Sequence, residues 1–71
     1  MEKNKMNNFV KDHNNQKIRV GNDVMYIDGT GKEWKGNVIK IYPDNNTLDI
    51  DTWGSAIGTA HVNAHNCYLE L

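Results

Sequence analysis

Asp49, Asp51 and Trp53 occupy alternate positions of the run Leu48-Asp-Ile-Asp-Thr-Trp53, and His61 follows shortly after in Thr59-Ala-His-Val-Asn63. Alternate residues of an extended chain project to one side. If Gly54 to Gly58 form a loop, Trp53 pairs with Thr59, Asp51 with His61 and Asp49 with Asn63, all on the face away from Leu48, Ile50, Ala60 and Val62. Two carboxylates, an indole and an imidazole then share one outer surface. An indole face and carboxylates both attract positive charge, so the chemistry expected is reception of an Arg- or Lys-bearing peptide or a basic partner surface.

Other reactive residues form weaker patterns. His61, His65 and Cys67 have a His-x3-His-x-Cys spacing that zinc could use, but Cys67 has the parity of Leu69 and Leu71 and reads as a buried thiol. The same parity separates Cys67 from His61 and Asp51, the one set that could imitate a nucleophile, base and acid. Ser55 has no glycine-flanked elbow, and Gly29-Thr-Gly31 is a turn rather than a phosphate cradle. No metal, no cofactor and no enzymatic activity are expected. For nucleic acid, the sequence offers Lys3, Lys5, Lys11, Lys17 and Arg19 as a basic arm, with Tyr26, Trp34 or Trp53 as stacking platforms.

The net charge of −1 over 71 residues is unevenly spread. Residues 1–17 hold four lysines against Glu2 and Asp12, which leaves the remaining chain at −3. That remainder lacks the basic footprint of a phosphate-binding surface. With one cysteine, Cys67, no intrachain disulfide can form, and a reducing cytoplasmic setting is the expectation, a host cytoplasm if the chain is viral. No apolar run is long enough to span a membrane, and no leader pattern precedes the fold.

Positioning the acidic face requires strands. From Met1 to Gln16 apolar residues are too sparse for any stripe, so residues 1–17 read as a flexible polar tail. From Ile18 the chain turns β-branched and aromatic: Ile18 and Val20, a turn at Gly21-Asn-Asp23, then Val24 to Ile27. Asp28-Gly-Thr-Gly31 is turn chemistry. A strand over Glu33 to Tyr42 changes parity between Val38 and Ile39-x-Ile41, the pattern of a bent strand that buries residues on both faces. Pro43-Asp-Asn-Asn46 turns the chain into Thr47–Trp53, then come Thr59–Asn63, a turn or 3-10 segment over Asn63–Asn66, and Cys67–Leu71. The fold class predicted is all-β, a five-stranded small barrel over residues 18–71.

The runs Ile18-Arg-Val-Gly-Asn-Asp-Val-Met-Tyr26, Gly31-Lys-Glu-Trp-Lys-Gly-Asn-Val38 and Leu48-Asp-Ile-Asp-Thr-Trp-Gly54 resemble the SH3-like barrels, Tudor domains among them. The resemblance implies that fold and a binding role. In Tudor domains aromatic side chains cage a methylated cation; the likeness sets Trp34 and Trp53 at two cage positions and Asp28 and Asp51 at the others, a departure from an all-aromatic cage. The reading is a non-catalytic module that binds a basic peptide or protein through Tyr26, Asp28, Trp34, Asp49, Asp51, Trp53 and His61. Two alternatives stand beside it: an RNA- or DNA-binding barrel, and a small viral or mobile-element inhibitor or ligand sponge. A core this small would gain from a homo-oligomer.

Overall fold

The computed structural model describes residues 8–52 and 58–70. Among these residues seven strands run in the order β1 (Val10–Lys11), β2 (Lys17–Ile18), β3 (Asp23–Ile27), β4 (Glu33–Tyr42), β5 (Thr47–Thr52), β6 (Thr59–Asn63) and β7 (Cys67–Leu69), with a 3-10 turn at Ala64–Asn66 before the last. All pairings are antiparallel. The sheet of five has the order β6-β5-β4-β3-β7, and β1 pairs with β2 in a separate ribbon.

The turns follow from their residues. Between β3 and β4, Asp28 accepts from the backbone N–H of Thr30 and Lys32, and Gly31 takes a φ of +87° that a side chain would disfavour. Between β4 and β5, Asn46 adopts a φ of +55°, the left-handed conformation Asn tolerates.

The core comprises Val10, Ile18, Val24, Val38, Leu48, Ile50, Val62, Ala64 and Cys67. Leu48, Ile50 and Thr52 of β5 are all buried, and so is Val62 of β6, which matches the alternation read from those strands. In β4 the change of parity is real, but its cause differs from the expectation of two buried faces. A bulge between Val38 and Lys40 absorbs one residue. Val38 and Ile41 thereby both turn inward, while Ile39 is left 46% exposed. One apolar residue is spent to bend the strand.

The N-terminal segment departs further from the expected flexible tail. Residues 8–17 are not a free tail: β1 and β2 pair through Val10↔Ile18 and Lys11↔Lys17, and Val10 is 1% exposed. Few apolar residues suffice because polar ones fasten this ribbon to the sheet. Asp12, 1% exposed, accepts from the N–H of Asn14 and Gln16 through Oδ1 and from that of Leu69 through Oδ2. The N–H of His13 reaches the Cys67 carbonyl at 2.9 Å. Asn46 grips the Lys11 backbone at both ends, accepting from its N–H at 2.8 Å and donating to its carbonyl at 3.0 Å. Val20, assigned to a strand with Ile18, stands instead in the turn before β3 and is 57% exposed.

Candidate functional site

Strand alternation and register assign each side chain of the large sheet to one of two faces. The inner face carries the core and, at one end, Tyr26 directly opposite Trp34. The outer face carries Asp23, Glu33, Lys35, Asn37, Lys40, Tyr42, Asp49, Asp51, Thr59, His61, Tyr68 and Glu70 by the same parity. The expected site therefore divides. Asp49, Asp51 and His61 share the outer face, whereas Trp34 and Tyr26 have the parity of buried Val24 and Val38. Trp53 lies outside the described residues.

At the centre of the outer face three adjacent strands bring together Tyr42, Asp49 and His61. The Tyr42 hydroxyl donates to Asp49 Oδ2 at 2.8 Å, and His61 Nδ1 lies 2.7 Å from Asp49 Oδ1. The Tyr42 and His61 rings meet edge to face with centroids 5.0 Å apart. The register explains the grouping: Asp49 pairs with His61 and Asp51 with Thr59. This is two residues away from the expected pairing of Asp51 with His61, because the connection closes further back, where both the N–H and the hydroxyl of Thr52 bond to the Gly58 carbonyl at 2.6 and 2.8 Å. Parity survives a shift of two, so the predicted outer face survives with it.

The electrostatics of the cluster favour a permanent negative charge. The bond from His61, followed by that from Tyr42, holds the Asp49 carboxyl below its ordinary range against the opposing effect of burial. The same carboxylate raises the Tyr42 phenol, which keeps its proton and remains a donor. Each carboxylate oxygen has a further lone pair. Asp51, next on this face, is exposed. The bulge between Val38 and Lys40 is what sets Tyr42 on this face, and nothing in the sequence marks its position.

Asp28 and Trp34 meet in a different setting. Trp34 Nε1 donates to Asp28 Oδ2 at 2.9 Å, while Oδ1 takes the Thr30 hydroxyl at 2.6 Å and the two backbone N–H groups of the turn. Led by the Thr30 hydroxyl and then the indole, these bonds push the Asp28 carboxyl far below its ordinary range. Asp28 thus organises its own turn. The ammonium of Lys32 stands 4.3 Å from the centre of the Trp34 ring, so this indole face already receives a cation from its own chain.

Cys67 is fully buried, with its thiol pushed up to about 12 by burial and, secondarily, by Asp12. His61 is on the other side of the sheet, so the His-x3-His-x-Cys spacing does not converge; among the described residues no three metal-ligating side chains are grouped to hold an ion. None of the described residues belongs to a helix long and apolar enough to cross a membrane.

Of the basic arm, Lys3 and Lys5 lie outside the described residues, while Lys11, Lys17 and Arg19 fall on the ribbon and the residue after it. No protein-family model, curated protein or solved structure matches the chain.

Proposed function

We propose that this chain is a non-catalytic binding module that takes a cationic group of a basic peptide or protein on the outer face of its five-stranded sheet. The observation that carries the reading is Asp49, held ionised at the centre of that face by Tyr42 and His61, with exposed Asp51 two residues along the same strand. Asp23, Glu33, Asp49, Asp51 and Glu70 are set there against Lys35 and Lys40. Such a surface concentrates cations. The Lys40 ammonium lies 5.1 Å from the centre of the Tyr42 ring, a contact that an incoming Arg or Lys would exchange for its own.

The strand order supports a finer reading of the fold as the SH3-like barrel. A four-strand meander, β3 to β6, is followed by a 3-10 turn that carries the chain across to β7 on the opposite edge. In this reading the ends of the sheet curl toward each other around the core, and the bulge in β4 supplies the bend.

The test is fluorescence anisotropy with a labelled peptide rich in Arg and Lys and a sequence-matched Glu-rich control, at low salt. The basic peptide should bind, and Asp51→Lys should weaken it by about tenfold, since a reversal replaces one attraction with one repulsion. Asp51 is exposed and makes none of the cluster's bonds, so the variant should unfold at the same temperature. Equal binding of both peptides, or an Asp51→Lys variant as tight as the parent, would overturn the reading.

A further inference from the structure

The ribbon of β1 and β2 has two faces, and only one belongs to the core. Val10 and Ile18 are opposite each other and buried. The other parity carries Lys11 opposite Lys17 and, one step along the same register, Phe9 opposite Arg19. The Lys17 ammonium lies 4.8 Å and the Arg19 guanidinium 5.9 Å from the centre of the Phe9 ring. Three cations and one aromatic ring thus share a single surface, Lys17 and Arg19 exposed and Phe9 and Lys11 half-buried.

A negative partner would relieve the repulsion within this arrangement. Like charges directly opposite on an antiparallel pair repel, and Lys11 faces Lys17 without a carboxylate in salt-bridge range among the described residues. The ribbon is nevertheless rigidly held, by buried Asp12 and by Asn46. Val20, which follows Arg19 in the chain, is 57% exposed, and Ile39 in the β4 bulge is 46% exposed. Their two segments are joined by the Gly21 N–H bonded to the Val38 carbonyl at 2.8 Å. An aromatic ring set among cations suits a ligand that offers flat apolar surfaces along a charged backbone.

The geometry points to this ribbon as a binding surface for single-stranded nucleic acid, with Lys11, Lys17 and Arg19 on the phosphates and a base stacked on Phe9 in exchange for the Lys17 and Arg19 heads that lie over its ring. It uses none of the outer-face carboxylates, so it stands apart from the cationic-partner site. A purely acidic polypeptide would satisfy the cations but leave Phe9 without a flat partner. Sequence preference should be weak, because stacking and phosphate contacts read no base edges.

Anisotropy titrations of the full chain with fluorescein-labelled oligo-dT and oligo-U, and with a labelled poly-Glu peptide, decide it. The oligonucleotides should bind, with a slope of log affinity against log salt of about −2, as three phosphate contacts on a single strand require. Phe9→Ala should weaken them about tenfold, and Lys17→Glu with Arg19→Glu should abolish binding at about 0.1 M salt without weakening the binding of the basic peptide to the outer face. An unaltered thermal transition in these variants shows that the ribbon still folds. No oligonucleotide binding at low salt, binding indifferent to Phe9→Ala, or poly-Glu held as tightly as oligo-dT would each overturn the assignment, the last in favour of an acidic protein partner.

Discussion

A Cβ placed on Gly36 would sit 2.7 Å from the Asp51 carbonyl oxygen and 3.1 Å from its carbon. Those are backbone atoms, so no side chain can swing away; β5 itself would have to move. Gly36 thereby sets how closely the strand carrying Asp49 and Asp51 lies on β4. Gly36→Ala should cost about 1–3 kcal/mol, the range for overpacking a fixed contact, read as a lower denaturant midpoint at unchanged slope. An unchanged midpoint would mean the two strands part freely. The sequence carried Gly36 within the Gly-x-x-Trp-x-Gly-x-Val resemblance, but only the paired strand explains why that position cannot bear a side chain. Residue-level chemistry was legible where alternation alone decided it, as for Asp49, Asp51 and His61. It was not legible where a hydrogen bond decided it: Asp28 has the composition of a ligand-binding carboxylate and is occupied by its own turn.

At the scale of elements, β3 to β7 could be read from period-2 patterns and turn residues, and the ribbon could not. A strand of two residues has no period to detect, and the ribbon is secured by polar groups rather than by an apolar face. Asp12 is the chief of these. Asp12→Ala removes the acceptor of three backbone N–H groups at once, and a buried donor left unpaired costs about 1–3 kcal/mol. Because water can reach some of the donors once the ribbon loosens, a loss of about 3 kcal/mol is expected, seen in chemical denaturation. Amide exchange should rise first at Asn14, Gln16 and Leu69 while β4 and β5 stay protected. Uniform loss of protection would show instead that the ribbon and the sheet open as one unit. Asp12-His-Asn-Asn-Gln16 does carry a local signal, an Asx-type turn, though nothing in it foretells the long-range bond to Leu69.

For the whole molecule the decisive quantity is how completely so small a core is closed, and Cys67 measures it. The thiol is 0% exposed and pushed up to about 12. Only the thiolate attacks a disulfide reagent, so in the folded state both access and ionisation oppose reaction. Labelling by a chromogenic disulfide at about pH 8 must then proceed through opening of the fold. The native rate should fall at least about a hundredfold below that in strong denaturant, as a few kcal/mol of stability dictates, and Asp12→Ala should raise it about tenfold for every 1.4 kcal/mol of stability lost. The sign of the pH dependence follows from the same shift. The folded pKa lies above the unfolded one, so stability is complete below the unfolded pKa, about 8.5, and declines as pH rises from there toward about 12. Cys67→Ala should flatten that alkaline decline. Native labelling within a few-fold of the denatured rate would mean that the strands around Cys67 do not close over it at all.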